Sequence, residues 1–183
     1  ITDCSNTVLQ LKNIIAEMGG LDLLVLSSGT GCINPELDYK KELLVTQTNV
    51  VGWTCIMDFA FNYFEQQKSG HLVAISSVAG LRGSRFALAY GATKAYQINY
   101  MEGLRQKARK LKNPVFVTDI RPGYVDTAML KGRSAFWISS VEKATRQIYT
   151  AIRHKRKVAY ITRRWSIAAV GFKMVPRWLY ERF

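Results

Sequence analysis

The chain has 183 residues, 48% hydrophobic and 21% charged side chains, and a formal net charge of +13. That balance describes a globular chain with a sizeable core and excludes a disordered or fibrous one. No apolar run reaches the roughly 20 residues of a membrane-spanning helix, and no secretory signal opens the chain. In chain order, apolar residues at Val8, Leu11, Ile14, Ile15 and Met18 predict a helix over 7–18, stopped by Gly19-Gly20. Leu21 to Leu26 is a short, almost continuous apolar run suited to a central strand of a parallel sheet. Ser27-Ser28-Gly29-Thr30-Gly31 follows as a loop.

A long helix is predicted over 40–67, with Gly52 tolerated inside it, and Ser69-Gly70 breaks it. His71 to Ser77 reads as a second buried strand. A third helix covers 85–111, its last turn rich in Lys and Arg, which favours the negative end of the helix dipole. Val115 to Arg121 is a third strand, followed by Pro122-Gly123. A helix over 140–153 with Ser139 as its cap, a short strand over 158–161 and a final helix over 164–180 complete the chain.

Strict alternation of helix and strand predicts right-handed crossovers and an α/β fold, a parallel sheet with helices on both faces. Ligands of such sheets bind beyond the carboxyl ends of the strands. The segments 27–31, 76–80 and 122–127 are therefore the first candidates for a site. With no repeat or linker, residues 1–183 read as one domain. Cys4, Cys32 and Cys55 lack C-x-x-C spacing, and reduced thiols are expected. His71 and His154 stand apart from any Cys or His, so no metal site is expected.

Tyr90 and Lys94 stand at i and i+4 on the third helix, on one face. A phenol is a poor acid/base at neutral pH, but a neighbouring ammonium favours the phenolate. A tyrosine tuned this way can donate a proton to a carbonyl or accept one from an alcohol. Alone this pair is a weak signal, because the spacing arises by chance on many helices. Ser77 stands 13 residues earlier, at the end of a predicted strand, where its hydroxyl could meet the same oxygen. Asn49 sits mid-helix, where Asn is a mediocre helix former. It reads either as an exposed polar residue or as one that bends the helix and holds a water on a proton path to Lys94.

With these pieces in view, the sequence resembles the short-chain dehydrogenases/reductases. The matching segments are LDLLVLSSGTG (21–31), TNVVGW (48–53), GHLVAISSVAG (70–80), YGATK (90–94) and IRPGYVDT (120–127), in the family's order and spacing. The resemblance implies a Rossmann-type doubly wound parallel sheet and hydride transfer between NAD(P) and a carbonyl or alcohol substrate. It implies Tyr90 as general acid/base, Lys94 as the group that tunes it and holds the nicotinamide ribose, Ser77 as the substrate-orienting hydroxyl and Asn49 as a relay residue. Ser27, Ser28 and Gly29 correspond to the loop against the adenosine ribose. Pro122, Gly123, Val125 and Thr127 correspond to the segment that grips the nicotinamide carboxamide. Ser76 is expected to face away. The resemblance also implies a homodimer or homotetramer, while the expected reduced thiols suit a cytoplasmic protein.

Two departures stand out. The family's Asn-Asn-Ala-Gly is here Leu26-Ser27-Ser28-Gly29, so side-chain bonds that brace the strand ends must come from serines or be absent. The family's Gly-rich pyrophosphate loop, with its first strand and helix, does not occur. A longer natural protein is therefore expected, and these residues alone are not expected to turn over substrate. A catalytically inactive cofactor-binding or membrane-surface protein on the same fold is the alternative.

From Lys131 to Phe183 the chain carries 13 Lys and Arg against Glu142 and Glu181. Lys155-Arg156-Lys157 lacks any accompanying nucleic-acid reading element and reads as a solvated turn, so no nucleic-acid partner is expected. The segment 163–183 interleaves aromatics and aliphatics with Arg163, Arg164, Lys173, Arg177 and Arg182. It reads as a terminal helix packed on the domain, with peripheral membrane contact as the second reading. Phe86, Tyr124, Met129, Phe136 and Trp137 are candidate linings of an apolar substrate pocket.

Overall fold

A computed structural model describes residues 1–130 and 136–182. Phe183 and the side chain of Lys173, both within the expected C-terminal helix, lie outside the described parts, as do residues 131–135 of the basic segment. Four parallel strands, β1 (Leu23–Leu26), β2 (Gly70–Ile75), β3 (Val115–Pro122) and β4 (Val158–Ile161), form one sheet in the order β1-β2-β3-β4. Helices α1 (Cys4–Met18), α2 (Tyr39–Thr46), α3 (Trp53–Gln67), α4 (Leu88–Lys110) and α5 (Val141–Arg153) alternate with them, and α6 (Arg164–Met174) and α7 (Arg177–Tyr180) follow β4.

The parallel sheet is covered on two faces, as alternation requires. On one face Leu24, Leu26, Leu72, Ala74, Val115 and Val117 pack against Trp53, Phe61 and Phe64 of α3 and Met101 and Leu104 of α4. On the other, Val73, Ile120, Ala159 and Ile161 pack against Ala144 and Ala151 of α5. Successive strand residues point to opposite faces, and both faces of β2 and β3 are covered, so their residues are largely buried, His71, Thr118, Asp119 and Arg121 included.

The structure differs from the sequence expectations in five places. β1 is an edge strand among those described, with Leu23 and Val25 exposed on the uncovered face. The single helix expected over 40–67 is three pieces: α2, a π turn over Gln47–Gly52, and α3. The cap of α5 is Ser140, whose side chain accepts the Lys143 N–H, and not Ser139. The last helix breaks at Val175-Pro176, because proline cannot continue the hydrogen-bond ladder of α6. Finally, Cys4 and Cys55 are joined by a disulfide, against the expectation of reduced thiols. Packing of α1 on α3 brings their Cα atoms to 6.0 Å although 51 residues separate them in sequence. Cys32 is the unpaired cysteine.

Candidate active site

The carboxyl ends of β1, β2 and β3 meet the first turns of α4 and the π turn, and the candidate residues gather there. The residue around which they gather is Lys94. Its side chain is buried, and its ammonium donates to Ile75 O at 3.0 Å and to Gln97 Oε1 at 2.9 Å. Burial lowers the Lys94 pKa to about 8, opposed by the nearby Asp119 carboxylate, which favours the charged form. An ammonium has three donors. Two are engaged by these bonds, which leaves one to meet a hydroxyl or carbonyl oxygen arriving from outside.

Gln97 is fully buried and works at both ends of its amide. Its Nε2 donates to Asn49 O at 2.9 Å while its Oε1 accepts from Lys94. Asn49 is also fully buried and lies in the π turn, whose i→i+5 pairing spreads the backbone relative to an α-helix. Its side-chain Oδ1 accepts the Thr30 N–H at 2.9 Å and its Nδ2 donates to Thr30 O at 2.7 Å, so the loop after β1 is clamped through both backbone polar groups of one residue. The same Nδ2 reaches Thr93 Oγ1 at 3.1 Å, tying the loop to α4.

Tyr90 lies one turn before Lys94 and is half-buried. The Lys94 Nζ stands 5.8 Å from the centre of its ring. Thr93 Oγ1 donates to Tyr90 O at 3.0 Å. The first turn of α4 has no side-chain cap from its own N-cap residue, Ala87. Its Ala89 N–H donates instead to Glu42 Oε2 of α2 at 2.9 Å, and Asn34 Nδ2 holds the other carboxylate oxygen at 2.6 Å. A carboxylate at a helix N-terminus is favoured by the dipole, so Glu42 fixes the turn that carries Tyr90. Gly31 makes room for the ring: a Cβ there would come within 2.4 Å of Tyr90 Cδ2.

Ser77 is buried and caps a 3-10 turn over Val78–Leu81. Its Oγ accepts the Ala79 N–H at 3.1 Å and lies 3.5 Å from Pro122 O. That turn lies directly on α4: a Cβ on Gly80 would stand 2.5 Å from the Lys94 carbonyl carbon, and one on Gly91 would stand 3.4 Å from Ala79 O. Ser76 faces the other way, donating to Asp119 Oδ1 and Ile120 O. Asp119, fully buried, also accepts from Arg121 Nε at 2.7 Å, and Arg121 donates to Tyr160 at 3.1 Å.

Of the candidate cofactor-contacting residues, Ser27 and Ser28 are exposed at the end of β1. Gly29 is half-buried, its missing side chain leaving a space 3.4 Å from both Asn49 Oδ1 and Lys94 Nζ. Pro122 closes β3 near Ser77. Gly123 faces the indole of Trp165, which would meet a Cβ at 2.0 Å. Val125 pairs with Ser139 in an isolated bridge, and Thr127 is exposed with its carbonyl taken by the Leu130 N–H. Thus Asn49, Ser77, Tyr90, Lys94, Gly29 and Pro122 converge, while Thr127 makes no described contact with them. Tyr124, Phe136 and Trp137 form an aromatic cluster around Trp165, with ring centres 5.5–6.0 Å apart. Phe86 and Met129 are exposed. Glu42, Gln97, Gly31 and Trp165 were not singled out from the sequence. Only Gly31 carried a readable signal, as the second glycine of the loop after β1.

The family described as short chain dehydrogenase matches residues 1–136. The chain is 34% identical over 131 residues to an uncharacterized oxidoreductase of Myxococcus xanthus, an alignment covering 70% of this chain and 51% of that protein. It is 30% identical over 147 residues to an acetoacetyl-CoA reductase of Acinetobacter, covering 78% of this chain and 58% of that one. Its fold resembles a short chain dehydrogenase from Burkholderia cenocepacia solved in complex with NADP, with a TM-score of 0.82 at 20% identity, over 98% of this chain and 77% of that one. The chain spans about half the length of the Myxococcus relative. It belongs to the short-chain dehydrogenase family. No helix among the described residues is long and apolar enough to cross a membrane.

Two outcomes follow from the geometry. Gly31→Ala will force the Tyr90 ring aside and destabilise the fold by about 1–3 kcal/mol, since overpacking a filled site costs that much; urea unfolding beside the native protein will check it. The second concerns the buried ammonium. Because folding lowers the Lys94 pKa from 10.5 to about 8, the folded state binds fewer protons than the unfolded one between those values, so stability rises with pH there. The burden of burying the charge is fully present below about pH 8 and relieved as pH rises towards 10.5. The stability difference between the native protein and Lys94→Met, measured by urea unfolding, should therefore shift in favour of the native protein over that window. A flat difference would contradict the assignment.

Proposed function

We propose that this member of the short-chain dehydrogenase family is the substrate-reacting portion of an NAD(P)-dependent oxidoreductase acting on a carbonyl or alcohol, with Tyr90 as general acid/base. The observation that carries this reading is the convergence, at the carboxyl ends of three strands, of the Lys94 ammonium, the Tyr90 ring and the Ser77 turn. The NADP reported with the Burkholderia structure supports the class of cofactor. The residues fit such a group: Lys94 has an unspent donor for a ribose hydroxyl, Gly29 puts no side chain against that ammonium, where a Cβ would stand 3.4 Å away, and Ser27 and Ser28 are exposed at the strand end. Pro122, Gly123 and Val125 would meet its carboxamide end. The bound cofactor supplies or accepts the hydride.

The chain's own residues manage the proton and the substrate oxygen. In the reductive direction Tyr90 Oη donates a proton to the carbonyl oxygen, and Ser77 Oγ donates a hydrogen bond to the same atom. The positive charge of Lys94 stabilises the phenolate that Tyr90 becomes. In the oxidative direction the phenolate takes the alcohol proton. The aromatic cluster of Tyr124, Phe136, Trp137 and Trp165 beyond Gly123 suits an apolar substrate body.

Gln97 acts as a positioning residue. It holds the ammonium against Ile75 O and fixes it to Asn49 without adding charge. Two variants of the full-length protein test the reading. Tyr90→Phe should reduce carbonyl reduction by at least about a thousandfold while cofactor binding, followed by tryptophan fluorescence, persists; unchanged turnover would remove the mechanism. Gln97→Glu should place an anion against Lys94, raise its pKa and move the alkaline limb of the rate profile to higher pH, whereas Gln97→Leu should lower turnover and move that limb the opposite way. A general loss of activity with an unmoved profile in both would reduce Gln97 to a packing residue.

A further inference from the structure

The C-terminal helices are docked on the domain by one side only. Trp165 and Ala169 of α6 are buried, the former against Gly123. Arg82 donates to Val175 O and stacks over the Tyr180 ring at 4.6 Å, and Tyr180 donates to Gly83 O at 2.9 Å. A helix whose only task was to pack here would turn a polar face outward. Instead Ile167, Val170 and Met174, spaced three and four apart on one face, are 75%, 58% and 76% exposed. Trp178 of α7 continues the apolar run at 62% exposure.

Cations bracket this stripe. Arg163 and Arg164 stand exposed at the start of α6, and Arg177 and Arg182 at the other end. Arg164 lies 5.5 Å from the Trp137 ring centre and Arg182 5.5 Å from that of Trp178, the latter pairing an aromatic with a cation at one rim of the stripe. From Lys143 to Phe183 the only acidic residue is Glu181. This charge pattern decides among occupants. A second copy docking stripe to stripe would bring the two sets of arginines together with almost nothing acidic between them. An anionic lipid surface supplies both what the stripe lacks, an apolar layer for the aliphatic side chains and negative headgroups for the arginines.

We propose that the outward face of α6 and α7 is a membrane-surface contact for anionic lipid. The domain would lie against the headgroups with Ile167, Val170, Met174 and Trp178 at the acyl boundary. Because Trp165 on the inner side of α6 joins the aromatic cluster beyond Gly123, the contact stands beside that cluster. The lipid contact rests on exposure and charge and does not depend on the oxidoreductase reading.

The test is co-sedimentation of the full-length protein with vesicles of phosphatidylcholine alone and of phosphatidylcholine mixed with phosphatidylglycerol, with carbonyl reduction followed separately. The protein should partition onto the mixed vesicles, weakly or not at all onto the neutral ones, and be released by salt. Replacing Arg163 and Arg177 by Gln should weaken binding about fivefold for each charge removed. The triple variant Ile167→Ser, Val170→Ser, Met174→Ser should weaken it by more than about tenfold with an unchanged circular dichroism spectrum, since the three side chains already face solvent. Equal binding to both vesicle types, no binding to either, or a triple variant that binds like the native protein would overturn the proposal. A dimer in sedimentation equilibrium that the triple variant splits, with no vesicle binding, would overturn it in favour of self-association.

Discussion

The arrangement depends on one buried cation. Moving an ammonium out of water costs several kcal/mol even after the surroundings relax, and the cost is offset only by well-placed hydrogen bonds and opposite charge. Lys94 obtains these from three directions: a carbonyl at the end of β2, the Gln97 amide one turn along its own helix, and the Coulomb field of Asp119. Each partner fixes a different element. Ile75 O sets the height of α4 over the sheet, Gln97 sets the π turn against α4 through Asn49 O, and Asp119 belongs to the next strand. The cation is thus a common reference for the parts that form the site.

A second polar layer supports the first. Asp119 is buried with no exposure and is shared by Ser76 and Arg121, with Arg121 continuing to Tyr160 on β4. A lone buried carboxylate would be too costly, whereas one with a guanidinium and a hydroxyl is tolerable. The alternation of β2 then has a division of labour. Ser76 looks down to this pair while Ser77, next in line, caps the 3-10 turn that packs on α4. Disturbing the ion pair would be felt at the site through the field at Lys94 before any contact was lost.

Much of this was legible in the sequence, for physical reasons. Strands β2, β3 and β4 announced themselves as short, largely apolar runs between helical stretches, and the segments after them were the first candidates for a site because parallel strands all end on one side. The π turn was not legible, since residues 47–52 keep a helical pattern and the extra residue leaves no mark in composition. Gln97 and Glu42 were hidden for a related reason: a polar residue on a helix ordinarily faces water, and only the assembled neighbours reveal that one is buried and the other caps a second helix. The pairing of Cys4 with Cys55 could not be read because it depends on how α1 lies across α3. The exposure of Leu23 and Val25 on β1 likewise depends on what flanks the strand, which a local run of apolar residues does not encode.

The clamp of Asn49 on Thr30 carries a consequence for how this loop can drift. A carboxamide that satisfies both the N–H and the C=O of one residue imitates a neighbouring strand, and it grips the main chain alone. Whatever side chains occupy the adjoining positions, the peptide presents the same two atoms. The side chains of Ser27 and Ser28 can therefore change without the loop losing its anchor. Mutational freedom is granted to the gripped segment and withdrawn from the gripping residue, for which a carboxylate or a hydroxyl would each supply only part of the pairing.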